Sequence, residues 1–197
     1  MLVSIYLTGV GGQGVVTMAN LIADHLARQE MKVTLIHATG MAQRGGRVTS
    51  EIRFSDTPSR GFGPRVSAAG ADFMIGMDMA ETINSLPFMK PAGILIFSEY
   101  TLVPSQVILK KERFPDGGEV ERLFTGAGAR IARIEKPGKP ANLFTLGVFM
   151  AVCGRDGGVS GILDPAGFEK TLQAALTKRL DENLAAYRAG VEFGGDA

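Results

Sequence analysis

The opening of the chain constrains its fold most. The apolar run Leu2-Val3-Ser4-Ile5-Tyr6-Leu7-Thr8 passes without a break into Gly9-Val10-Gly11-Gly12-Gln13-Gly14, and an amphipathic stretch follows at once. A short apolar run that ends in glycines reads as a buried strand. From Gln13 to about Gln29, the residues Val16, Met18, Ala19, Ile22, Ala23 and Leu26 fall at helical spacing. Lys32-Val33-Thr34-Leu35-Ile36-His37 is a second β-rich run. Strand, helix, strand in so short a span is a βαβ unit, whose strands run parallel. The turn between them has the spacing G-x-G-x-x-G at Gly9, Gly11 and Gly14. Glycines let backbone N–H groups approach an anion, and the helix N-terminus adds positive partial charge. The same turn can also serve only to pack a helix on a strand.

The rhythm breaks after the second strand. Ala38–Gly46 is polar and glycine-rich. Arg47–Phe54 then alternates, with Val48, Ser50, Ile52 and Phe54 on one side and Arg47, Thr49, Glu51 and Arg53 on the other. Period two predicts a strand with one wet face, in a hairpin or antiparallel setting. Thr57–Pro64 is a loop by its prolines and glycines. Further strands are expected at Ala71–Met77, Gly93–Phe97, Val107–Leu109 and Ala129–Ile134, with Asp78 capping a helix from Met79 to about Ser85. A brief helix is expected at Glu119–Phe124. Asn142–Ala151 predicts a helix apolar all round, hence buried in the core or against a partner. Phe168–Thr177 and Asp181–Phe193 are closing amphipathic helices. The fold class is α/β: a Rossmann-like, mostly parallel sheet with helices on both faces and an antiparallel excursion, in one domain over residues 1–197.

Composition narrows the function. A net charge of +1 gives no reason to expect nucleic acid or a membrane surface as partner. The longest strongly apolar stretch, Leu143–Cys153, is well short of the ~20 residues of a membrane span. No basic leader precedes Leu2, so a cytoplasmic protein is expected. The single cysteine, Cys153, sits among Phe149, Met150, Ala151 and Val152, where a buried, inert thiol is expected. One cysteine cannot ligate an iron–sulfur cluster. Met41, Met74, Met77, Met79 and Met89 read as core or interface filler.

A dinucleotide site needs an acid at the end of the second strand to hold the ribose. That place holds His37-Ala38-Thr39, and no carboxylate lies between Glu30 and Glu51. This counts against NAD or FAD. Arg44 offers a cationic fork for an extra phosphate, as in NADP or the adenosine phosphate of coenzyme A. It belongs to a second glycine-rich loop, Gly40-Met41-Ala42-Gln43-Arg44-Gly45-Gly46, just past a strand end, where α/β sheets bind ligands. Both loops are therefore expected on one edge, although the second also reads as a loop with a solvated arginine. Gln43 and Arg44 are the candidate catalytic residues. Gly9, Gly11, Gly12, Gln13, Gly14, Gly40, Met41, Gln43, Arg44, Gly45 and Gly46 are the candidate binding residues. His37 reads as packed or solvated, and Asp72 and Asp78 as caps or turn residues. There is no G-x-x-x-x-G-K-[ST] loop, no H-E-x-x-H, no Ser/His/Asp signature and no metal-ligand set. The chain reads as a binding domain that supplies part of a site.

Gly9–Val15 together with Gly40–Gly46 resembles the gamma-type domain of the 2-oxoacid:ferredoxin oxidoreductases, most like the beta subunit of the indolepyruvate enzymes. Ala141-Asn142 followed by Leu146-Gly147 resembles that family's A-N-x-x-x-L-G helix, and Asn183, Ala186 and Gly190 resemble its closing pattern. Thr39 stands where many relatives have histidine. The resemblance implies oxidative decarboxylation of a 2-oxoacid, an arylpyruvate such as indolepyruvate, to an acyl-coenzyme A, with reduction of ferredoxin. It implies no cofactor on this chain. Thiamine diphosphate, magnesium and iron–sulfur clusters would lie on a large alpha subunit, and coenzyme A would be co-substrate. The other readings left by the residues are a stand-alone NADP-binding reductase and a scaffold whose glycine loops hold only a partner's backbone.

Overall fold

The computed structural model describes residues 1–40, 46–57, 59, 61–99, 113–156 and 158–196. Among the described residues, six strands form one sheet in the order β2-β3-β1-β4-β5-β6. They are β1 (Leu2–Val10), β2 (Lys32–Thr39), β3 (Arg47–Ser55), β4 (Ala71–Gly76), β5 (Met89–Ser98) and β6 (Arg130–Ile134). The helices are α1 (Val15–Arg28), α2 (Met79–Asn84), α3 (Gly117–Gly126), α4 (Ala141–Arg155), α5 (Pro165–Ala175) and α6 (Leu180–Asp196), with a 3₁₀ turn at Leu86–Phe88. The expected strand at Val107–Leu109 lies outside the described residues.

β1, β4, β5 and β6 pair in parallel. β3 pairs antiparallel with both β1 and β2. The strands of the opening βαβ unit therefore run the same way but are not neighbours, because β3 is inserted between them. Its position also corrects the expectation of a wet face. Thr49 and Glu51 are only 6% and 5% exposed. The chain after β3 folds back over them: Val66 N–H donates to Glu51 Oε2 at 2.6 Å, and Arg53 Nη1 donates to the carbonyls of Gly63 and Arg65. A period-two pattern marks a polar face; it does not say whether a loop covers that face.

Alternation in the strands feeds two cores. One joins Ile5, Leu7, Ile52, Phe54, Ile75 and Ile96 to α1, α4, α5 and α6. The other joins Tyr6, Met74, Leu95 and Phe97 to the smaller layer of α2 and α3. Met74, Met77, Met79 and Met89 are buried filler, as expected. The helices begin where short polar side chains can cap them. Asp78, Asp116 and Asp164 accept from the N–H of Glu81, Glu119 and Gly167 at 3.1, 2.9 and 2.7 Å. α4 is buried nearly throughout, because the sheet lies on one side and α6 on the other. The approach of α4 to α6 is close enough that a Cβ at Gly147 would strike the carbonyl of Tyr187, and one at Gly190 that of Phe144.

Candidate functional site at the carboxyl edge

The carboxyl ends of β1 and β4 bring three chain segments together. The first is the glycine turn. Gly14 is the N-cap of α1 in the left-handed region (φ 79°), and Gly12 is left-handed as well (φ 98°). Gln13 is buried, and its Oε1 accepts the N–H of Val10 at 2.8 Å. The Gln13 N–H donates to the carbonyl of Val10 at 3.2 Å. The side chain thus holds the turn from inside. A Cβ at Gly9 would crowd Gln13 Oε1 at 2.7 Å and the Cβ of Met77 at 3.0 Å, while one at Gly14 would lie 2.6 Å from Nδ2 of Asn142. Asn142, in the first turn of α4, therefore sits against the start of α1.

The second segment comprises the two flanks of the other glycine-rich loop. Gly40 N–H donates to the carbonyl of Arg47 at 2.7 Å, and Gly11 N–H donates to the carbonyl of Gly46 at 3.0 Å. Both glycine-rich segments reach the same edge, and a hydrogen bond joins them. Met41, Gln43, Arg44 and Gly45 lie outside the described residues.

The third segment is β4 into α2. Met77 N–H donates to the carbonyl of Thr8 at 2.9 Å. Burial raises the Asp78 carboxyl above its ordinary value, against the opposing pull of the N–H groups of Glu81 and Ala80. Burial raises Glu81 too, and Arg47 opposes it. Asp78 is a helix cap, and Asp72 accepts from Ser4 N–H and from Lys90, so neither forms an acid/base pair. Arg47, at the head of β3, places Nε 3.2 Å from Glu81 Oε2, and Nη2 donates to Ser85 Oγ at 3.2 Å.

Beside this edge a cavity of about 350 Å³ opens over the polar side of β2, β3 and β1. Tyr6 and Phe88 stack there with ring centroids 4.7 Å apart, beside Arg47, Thr49, Glu51 and Arg65. Arg65 Nη1 is 3.3 Å from Glu51 Oε1, so each arginine of the cavity is matched by a carboxylate. His37 stands away from the edge's centre, with Nδ1 2.8 Å from Ser50 Oγ and Nε2 3.3 Å from Asn20 Oδ1. Cys153 is fully buried in α4, and burial pushes its thiol well up. One buried thiol does not fit a cluster. Among the described residues, no three His, Cys, Asp or Glu side chains gather as a metal set, and no helix is long and apolar enough to cross a membrane.

Sequence reasoning missed Arg47, Glu81 and Asn142 as parts of this edge. The available signal was position: Arg47 follows the second glycine loop directly, and Glu81 lies one turn into the helix that leaves a central strand.

The fold recurs in solved structures, and the sequence is similar to known proteins. Indolepyruvate oxidoreductase subunit IorB from Archaeoglobus fulgidus is 31% identical over 120 residues, spanning 61% of this chain and 58% of that protein. The protein of the same name from Methanothermobacter thermautotrophicus is 28% identical over 98% of this chain and 97% of its own. The gamma subunit of a keto/oxoacid ferredoxin oxidoreductase from Geobacter sulfurreducens has a similar fold, with a TM-score of 0.67 at 16% identity over 99% of each chain. The family profile described as pyruvate ferredoxin/flavodoxin oxidoreductase matches residues 4–193, and the chain belongs to that family.

Proposed function

We propose that this chain is the small subunit of a 2-oxoacid:ferredoxin oxidoreductase that acts on indolepyruvate or another arylpyruvate. The reaction would convert the 2-oxoacid, coenzyme A and oxidised ferredoxin to acyl-coenzyme A, carbon dioxide and reduced ferredoxin. Residues 1–197 serve as one gamma-type domain, in the cytoplasm, without a cofactor of their own. Thiamine diphosphate, magnesium and iron–sulfur clusters belong to a large alpha subunit, through which ferredoxin is reduced. The observation that carries this reading is the Gly11 N–H···O=C Gly46 hydrogen bond. It makes one surface from two glycine-rich segments, and low side-chain bulk there suits close approach by another chain's backbone or ligand. The relatives named indolepyruvate oxidoreductase subunits support the substrate class. Gly9–Gly14, Gly40, Gly46 and the loop bearing Met41, Gln43, Arg44 and Gly45 form the face toward the thiamine site.

Co-expression with the alpha subunit tests this. The expected result is a stable complex that reduces ferredoxin only when both chains are present. Arg44→Ala in that complex lowers kcat/KM for the 2-oxoacid or for coenzyme A. A chain that purifies alone and binds NADP tightly in calorimetry would replace this reading with a free-standing reductase.

A further inference from the structure

We infer that Arg47 is the positioning residue of this edge: by tethering α2, it fixes the two glycine-rich segments relative to each other. Resting on the proposed subunit function, its role there is to hold the face that meets the alpha subunit's site.

Arg47 sits where all three segments meet. Its carbonyl accepts from Gly40 N–H at 2.7 Å, and the carbonyl just before it, on Gly46, accepts from Gly11 N–H at 3.0 Å. Its guanidinium reaches the other way. Nε lies 3.2 Å from Glu81 Oε2, an ion pair of two buried atoms without a well-aligned hydrogen bond. Nη2 donates to Ser85 Oγ at 3.2 Å and approaches Tyr6 OH at 3.5 Å. Ser85 Oγ in turn lies 2.8 Å from the carbonyl of Glu81 and 3.1 Å from Thr8 Oγ1. Arg47 and the Gly46 carbonyl just before it therefore link the first glycine turn, the foot of the second loop, the end of β1 and α2.

The pair differs from a surface ion pair. The Glu81 side chain is 18% exposed and Arg47's is 40%. Removing the arginine leaves a half-buried carboxylate without its counter-charge, which costs far more than breaking a solvated pair. Arg47 is not needed to join β3 to the sheet, because the eight other residue pairs along β1 do that. Its loss acts on the edge and not on the fold. Lysine would keep the charge near Glu81 but lose the fork that reaches Ser85 and Tyr6 together.

Two measurements test the inference. The first uses the isolated chain and needs no assumption about activity. In Arg47→Ala, amide exchange at Gly11 and Gly40 quickens about tenfold or more, while β1 and β4 amides keep their protection. Glu81→Gln, close to isosteric, gives the same local pattern at smaller size. The second uses the complex. Arg47→Ala lowers kcat/KM about tenfold at unchanged subunit affinity, and Arg47→Lys recovers part of it. Unchanged exchange at Gly11 and Gly40 in both Arg47→Ala and Glu81→Gln overturns the inference, as does quickened exchange with full turnover in the complex. A wild-type chain that forms no active complex refutes the proposed function instead, and leaves the exchange result to stand or fall alone.

Discussion

Replacing Gly190 by alanine sets helix propensity against packing, and the geometry decides the sign. On an isolated helix the change stabilises by about 1 kcal/mol. Here the new methyl would land on the carbonyl oxygen of Phe144 and 2.8 Å from its carbonyl carbon. Carbon atoms need about 3.5 Å and the oxygen is nearer still, so α4 and α6 must part by roughly 0.7–1 Å, and a gap of that size forfeits a quarter to a half of each dispersion contact it opens. Phe144, Val148, Leu184 and Tyr187 are buried in the core on these two helices. With about ten cross-interface atom pairs each, at ~0.15 kcal/mol a pair, the loss is about 2 kcal/mol. Residual strain brings the gross cost toward the upper end of the about 1–3 kcal/mol typical of overpacking, or slightly past it, because the obstacle is backbone and not a movable side chain. Net of propensity, the variant loses about 2–3 kcal/mol, which lowers Tm by about 4–12 °C for a chain of this size. Gly195, in the same helix, is the control: a Cβ there meets nothing within 4 Å. Thermal unfolding of both variants is the assay. A Tm for Gly190→Ala at or above wild type, or an equal fall in Gly195→Ala, would refute the close crossing of the two helices.

Gly14→Ala is expected to destabilise more than Gly12→Ala in urea titrations. Both have left-handed backbone, worth about 1–2 kcal/mol for a side chain, but only Gly14 also faces Asn142. Cys153 should resist thiol reagents in native protein and react once urea unfolds it, since burial both hides the thiol and disfavours the thiolate. Burial lowers the pKa of His25, whose Nδ1 lies 2.9 Å from Thr171 Oγ1 and whose Nε2 lies 2.9 Å from the carbonyl of Ile162. The folded state therefore binds its proton less readily than the unfolded chain. The stability His25 contributes is full above the unfolded value near 6.5 and is lost as pH falls through the lower folded value. Urea midpoints should drop between neutral and mildly acidic pH, and less so in His25→Gln.

The sequence was most legible where one local cause sufficed. Every described strand and helix was anticipated within a few residues, and Asp78 caps α2 as its position predicted. It was least legible where the answer lay across the sheet. Nothing in Arg47–Phe54 says that the strand enters between β1 and β2, because alternation encodes a face and not a neighbour. Nor could Glu51 announce that Val66 would come back to satisfy it. The resemblance at Gly147 and Gly190 has a physical content that spacing alone concealed. The two glycines lie at the same crossing of α4 and α6, each against the other helix's backbone.

The opening turn shows how one spacing can arise from several causes. A pyrophosphate cradle needs its backbone donors free to point outward. Here the N–H groups of Val10, Gly11 and Gln13 are committed to Gln13 Oε1, Gly46 and Val10 respectively. Gly9 is required by the crowding of Gln13 and Met77, and Gly14 by Asn142 and a left-handed cap. Gly12 is required by conformation alone, since a Cβ there would meet open space. Gly9 and Gly14 are thus explained by packing against β4 and α4, and Gly12 by its backbone conformation. Replacing Gln13 tests this directly. Gln13→Ala leaves Val10 N–H unsatisfied and opens space beside Gly9, which costs about 1–3 kcal/mol. Gln13→Glu restores the acceptor and so recovers part of that loss as measured by urea unfolding. If the alanine variant were as stable as wild type, the turn would not be held from inside by this side chain, and the Val10 N–H would again be available to an anion.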